Sequence, residues 1–200
     1  MSAITRTTTA LLAGLGNPAD EEAWRSFDER YRPILVGFAV RLGLGHADAC
    51  DAAQETLLRF LREFRNGRYD RERGRLRSWL ISMAAARVAT LQRGKGRRRE
   101  QRGESAIVDL SDGHGMDRLW EEERRRALLS RALDQLRMTS RTDPKTIRAF
   151  EMLFSHRLPP AVVAAELGMS VHDVYLAKSR VAAKLREIVE ALEAEFEGET

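Results

Sequence analysis

The chain has 200 residues, 43% of them hydrophobic and 32% charged, with a formal net charge of +4. That is enough for one medium domain or two small ones, each with a modest core. The single Cys50 excludes an internal disulfide and a zinc cluster of paired cysteines, no apolar run approaches the roughly 20 residues that cross a bilayer, and no signal peptide is evident, so a cytoplasmic protein without membrane insertion is expected.

In chain order, residues 1–22 read as a lead-in, hydroxyl-rich at first, with Leu11, Leu12 and Leu15 as its apolar anchors: either flexible or a short docking helix. From Ala23, the residues Trp24, Phe27, Tyr31, Ile34, Leu35, Phe38 and Leu42 recur at helical spacing until Gly43 and Gly45 stop them. Pro33 falls inside this pattern, so the helix is expected to begin just before it or to bend there. Asp48 to Arg65 predicts the next helix, with Ala52, Ala53, Leu57, Phe60, Leu61 and Phe64 on a broad apolar face. Its acids gather in the first turns and Arg59, Arg62 and Arg65 toward its end, a gradient that the helix dipole alone favours. Asn66 and Gly67 end it.

Arg68 to Arg77 is a polar loop crowded with arginine and containing Tyr69. Leu76, Trp79, Leu80, Met83, Ala84, Val88 and Leu91 then make another amphipathic helix, and its continuation RGKGRRREQR holds six basic residues and one acid. Such a run alone can be a solvated linker. Beside the arginine loop, with Tyr69 and Trp79 nearby, it reads as a surface that tracks phosphates and offers rings for base stacking, although the spacing of Trp79 with Leu76 and Met83 places it in the core.

Residues 103–117 are small, acidic and without periodicity, which suggests an interdomain linker. Two helices follow, one with Trp120, Ala127, Leu128, Ala132, Leu133 and Leu136 inside, the other opened by Asp143-Pro144 with Ile147, Phe150, Met152, Leu153 and Phe154 inside. Leu158 to Arg186 then reads as a helix-turn-helix. Pro159 and Pro160 open a helix with Val162, Val163 and Leu167 as its stripe, and Gly168 ends it. Ser170 and Asp173 form a capping box for the next helix, whose inner face is Val174, Ala177, Val181, Leu185, Ile188 and Leu192. Its outer face shows His172, Tyr175, Lys178, Arg180, Lys184 and Arg186, the kind of surface that such motifs lay in a major groove. The acidic EALEAEFEGET reads as the fraying end of this helix. No strand pattern persists, so the expected fold is all-α: two small helical domains, 23–102 and 118–200, joined by the flexible linker 103–117.

The order of these pieces resembles the sigma-70 family of bacterial transcription initiation factors, and within it the small two-domain extracytoplasmic-function (ECF) group. DACDAAQETLLRF is similar to the family's acidic D-A-E-D-x-x-Q-E helix, YDRERGRLRSWLISMA to its F-D-x-x-R-G-x-F-x-x-W-L segment, and LGMSVHDVYLAKSRVAAKLRE to its helix-turn-helix. The resemblance implies a region 2-like domain over 23–102 and a region 4-like domain over 118–200. It implies a factor that binds core RNA polymerase and directs it to promoter DNA, with no chemistry of its own and no cofactor. Asp48, Asp51, Gln54 and Glu55 would dock on polymerase. Arg68, Tyr69, Arg71, Arg73, Arg75, Arg87, Arg97 and Arg98 would hold the melted downstream element as single strand. His172, Tyr175, Lys178, Ser179, Arg180 and Lys184 would read the upstream element as duplex. An anti-sigma factor that buries the docking surface is a further implied partner. Cys50 stands where the pattern has an acid, Ala85 and Ala86 where it often has Arg-Asn, and Ala182 and Ala183 where bulkier or basic residues are common. A stand-alone helix-turn-helix regulator is the competing reading; it would have no need of the acidic docking helix. An enzyme is disfavoured, since no phosphate-cradling glycine loop, HExxH or nucleophile elbow occurs.

Overall fold

The computed structural model describes residues 8–69, 75–100, 113–139, 142–154 and 156–196. Among these the fold is all-α, with no strand. The chain divides into two compact units, Met1–Ala127 with Glu195–Thr200, and Leu128–Ala194.

The first unit is built on α1 (Thr8–Leu15), α2 (Glu21–Arg41), α3 (His46–Arg65), α4 (Leu76–Glu100) and the first half of α5 (Gly113–Thr139). Within the lead-in, α1 is a docked helix that buries Leu11, Leu12 and Leu15. Asp20 starts α2 by accepting the Ala23 amide at 2.9 Å, the bond expected of a helix cap. Pro33 neither starts nor stops α2, which continues through it to Arg41. Pro33 lies on an exposed face, where the Glu29 carbonyl that its ring leaves without a donor can be met by water. Phe27 organises the core, stacked on Phe60 at 4.9 Å between centroids and tilted against Tyr31 at 4.5 Å. Ile34, Leu57, Leu76 and Leu80 of the same unit are also fully buried; burying a side chain of this size contributes about 1.5–3 kcal/mol.

The end of α3 matters for the site. Gly67 takes φ 68°, and the Arg68 and Gly67 amides donate to the Glu63 and Phe64 carbonyls at 3.0 Å each. This double capping of a helix C-terminus needs a left-handed residue, which glycine adopts without steric cost. It turns the chain sharply into the arginine-rich loop. At the other side of this unit, α5 starts at Gly113, within the stretch expected to be a linker, and runs unbroken past Ala127 into the second unit. Trp120 explains why its first half belongs to the first unit: the indole is fully buried, edge-on to Phe38 at 6.0 Å.

The second unit contains the rest of α5, α6 (Pro144–Phe154), α7 (Pro160–Leu167) and α8 (Val171–Glu193). Ala149, Met152, Val163, Ala164, Val174 and Ala177 form one apolar cluster where α6, α7 and α8 meet. Two residues expected inside are exposed, Phe154 at 56% and Val162 at 40%. The helical spacing that suggested them is broad enough to admit positions at the edge of the apolar stripe. The acidic stretch after α8 also departs from expectation. As far as it is described, to residue 196, it closes on a 3-10 turn of Ala194, Glu195 and Phe196, the last two buried.

Candidate nucleic-acid interface

On α3, the acidic stripe faces outward. Asp51, Gln54 and Glu55 are exposed and Asp48 is half-buried, while Ala49, Ala52, Ala53, Thr56, Leu57 and Phe60 turn inward. The stripe continues through Leu58, which is 44% exposed and falls outside the apolar face of the helix. The sequence reading did not single out this apolar side chain amid acids and arginines, although its position off the inward face was the signal for it. Beside it a groove of about 420 Å³ runs between α3 and α4, lined among others by Glu55, Leu58, Arg59, Arg62, Met83 and Arg87. Glu55 and Arg87 bridge it with a 2.6 Å ion pair. The structure thus brings together a residue expected to touch polymerase and one expected to touch DNA.

The arginine loop is anchored at both ends. Arg68 bonds to Glu63 at 2.8 Å. Tyr69 stacks on Trp79 at 5.2 Å with 26° between the planes, tilts against Phe64 at 5.8 Å and meets the edge of Phe60 at 6.4 Å. Trp79 is therefore half-buried support for Tyr69 rather than a second free ring. Arg75 is exposed at the start of α4. Arg77, the last arginine of the loop motif, is committed elsewhere in the unit: it donates to Asp117 at 2.9 Å and to Glu121 at 3.3 Å. Arg71 and Arg73 lie outside the described residues, as do the side chains of Arg97 and Arg98.

In the second unit, Gly168 with φ 55° ends α7, the Met169 amide reaches back to the Ala164 carbonyl at 2.9 Å, and Ser170 caps α8 by accepting the Asp173 amide at 3.0 Å. The Ser170 hydroxyl in turn donates to the Asp173 carboxylate at 2.7 Å. That bond, helped against an opposing desolvation by the Ser170 backbone amide and the His172 and Arg180 charges, holds the Asp173 carboxyl below its usual value. His172, Tyr175, Lys178, Ser179 and Arg180 all stand exposed on α8, and Leu176, 38% exposed, lies among them. A helical face of two rings, hydroxyls, cations and an apolar side chain can meet phosphates, base edges and thymine methyl groups. Lys184 is placed differently, donating to the Thr142 hydroxyl at 2.7 Å and so tying α8 to the segment before α6.

Among the described residues no group of three or more His, Cys, Asp or Glu side chains could hold a metal ion, and no helix is long and apolar enough to cross a membrane. No curated protein matches the chain. Residues 27–98 match the family model described as Sigma-70 region 2, a span that takes in the core of the first unit, the acidic stripe of α3 and the arginine loop. That match supports a sigma factor of the sigma-70 family, with a role in transcription initiation.

Proposed function

We propose that the chain is an ECF-type sigma factor of the cytoplasm, which binds core RNA polymerase, directs it to promoters and helps to melt them. The observation that carries this reading is the Sigma-70 region 2 match over 27–98, a span in which the exposed face of α3 is acidic with Leu58 at its end. Acids set the rate and orientation of docking on a basic partner, and Leu58 supplies desolvated contact area. In this reading Asp48, Asp51, Gln54 and Glu55 dock on polymerase within a domain at 23–102. The arginine loop and the basic end of α4 then hold the displaced strand by its phosphates, with Tyr69 on its Trp79 support offering a ring to an unstacked base. In the second unit α7 and α8 act as a helix-turn-helix, with His172, Tyr175, Lys178, Ser179 and Arg180 reading upstream duplex. An anti-sigma factor covering the α3 face is a natural inhibitor of such a protein.

The test is retention of purified core RNA polymerase by the wild-type chain and by Asp51→Arg, scored alongside promoter-directed transcription. Retention and specific transcripts for the wild type, both lost on charge reversal, are the expected result. Specific duplex binding without any polymerase retention would instead establish a stand-alone regulator.

A further inference from the structure

The first unit holds a buried recognition site that docking and DNA binding leave unused. Its occupants are Glu195 and Phe196, only 3% and 8% exposed, which belong to this unit although the helix before them does not. Arg30 of α2 grips Glu195 at two points, donating to its backbone carbonyl at 2.5 Å and to its carboxylate at 3.2 Å. The Thr8 hydroxyl donates to the same carbonyl at 3.2 Å. The Phe196 ring has the Arg30 and Arg124 guanidiniums each 5.3 Å from its centroid and meets Tyr31 edge-on at 5.9 Å.

This chemistry is selective. A buried guanidinium is costly without an anion, so Arg30 rejects an apolar segment. Cations near a ring face favour an aromatic side chain over an aliphatic one of equal size. Together they specify an acidic residue followed by an aromatic one. The site also has a topological consequence: because Ala127 and Glu195 both belong to the first unit, its occupation tethers Leu128–Ala194 at both ends, and its release leaves one tether.

We propose that Thr8, Arg30, Tyr31 and Arg124 form a peptide-binding site whose ligand is the chain's own Glu195–Phe196 segment, an internal latch that a competing Glu-Phe peptide can open. Being intramolecular, the resident ligand acts at an effective concentration on the order of millimolar. A competitor must match that to displace it, which makes the latch closed by default.

The test uses the full chain and a fluorescein-labelled peptide spanning Glu190 to Phe196 with an amidated end, followed by anisotropy. The doubly substituted Glu195→Gln, Phe196→Ala chain, its site vacated, is expected to bind the peptide at least tenfold more tightly than the wild type. Adding Arg30→Gln abolishes that binding, as does replacing the phenylalanine of the peptide with alanine. In the vacated chain the peptide also restores hydrogen-exchange protection to α1. Equal binding by wild type and vacated chain, or binding indifferent to Arg30, overturns the proposal. Should circular dichroism show the double variant unfolded, Phe196→Leu keeps apolar burial but weakens the resident ligand, and peptide binding no tighter than that of the wild type then overturns it as well.

Discussion

Glu55 on α3 accepts a 2.6 Å hydrogen bond from Arg87 on α4, so the acid at the edge of the candidate docking stripe already has a cation of its own. The pair is partly exposed, at 52% and 30% for the two side chains. Exposed pairs contribute about 0.2–1 kcal/mol, too little to be the reason for placing these charges across a groove. Its consequence concerns binding. A partner cation that takes Glu55 shares its carboxylate with Arg87 or competes for it, so binding there loosens the bridge across the groove.

A charge swap separates the two roles. Glu55→Arg with Arg87→Glu preserves an ion pair across the groove, and its melting temperature is expected to stay within about 3 °C of the wild type, since ~1 kcal/mol corresponds to a few degrees in a domain of this size. Retention of core RNA polymerase is expected to be lost in the swap, because the sign presented to the partner is reversed. Retention by the swapped chain would mean that the pair acts only by holding α3 to α4.

The cap of α8 gives a pH prediction. The Ser170 hydroxyl is the largest cause of the depressed Asp173 carboxyl. A group whose folded pKa is lowered contributes stability that is full above its unfolded value and vanishes as pH falls through the folded one. Stability of the second unit is therefore expected to decline on acidification below the ordinary carboxylate range. Ser170→Ala should cost about 1 kcal/mol near neutrality, as loss of a helix cap does, and should flatten the acid dependence. Urea unfolding followed from neutral to acid pH reads both; an acid slope unchanged in Ser170→Ala would assign the depression to another group.

What could be read from the sequence was whatever local chemistry decides. Gly67 and Gly168 stop helices because their backbone conformations are left-handed, and Ser170 starts one because its side chain replaces a missing backbone acceptor. The inward residues of α8 follow from spacing alone, with Val174, Ala177, Val181, Leu185 and Leu192 all buried. The candidate site was less legible, because its states depend on partners distant in sequence. Nothing near Arg77 in the chain foretells Asp117 and Glu121, and nothing near Glu195 foretells Arg30. Glu195 and Phe196, in a segment expected to fray, are buried for that reason, and Pro33 proved tolerable because its face of α2 is exposed.

Glu121 tests how firmly α5 is held in the first unit. Burial pushes its carboxyl up, but the Arg124 hydrogen bond, then the charges of Arg124, Arg77 and Arg125, outweigh it, and the net result is a lowered pKa. By the same sign rule, its contribution is intact above the ordinary glutamate range and is lost as pH falls through the lowered value. Hydrogen exchange over residues 114–127 should therefore quicken in acid for the wild type. Glu121→Gln should show faster exchange already at neutral pH and little further change on acidification. An acid response of equal size in Glu121→Gln would place the sensitive group outside this cluster.

Gly37 marks where α5 comes close to α2. A Cβ there would run into the Glu123 carboxylate, with the Glu123 Cγ at 3.3 Å. Glu123 cannot swing away cheaply: it is 6% exposed and paired with Arg126 at 2.5 Å and Arg41 at 3.6 Å. In an unobstructed helix, glycine to alanine gains about 1 kcal/mol, whereas overpacking costs roughly 1–3 kcal/mol and here also disturbs two ion contacts. Gly37→Ala is accordingly expected to destabilise the first unit by about 1–2 kcal/mol. With Glu123→Ala already present the obstruction is gone, and the same substitution should turn stabilising by about 1 kcal/mol. The double-mutant cycle, measured by urea unfolding, decides the matter through that change of sign: a Gly37→Ala effect equal in both backgrounds would show that the helices do not meet at this point.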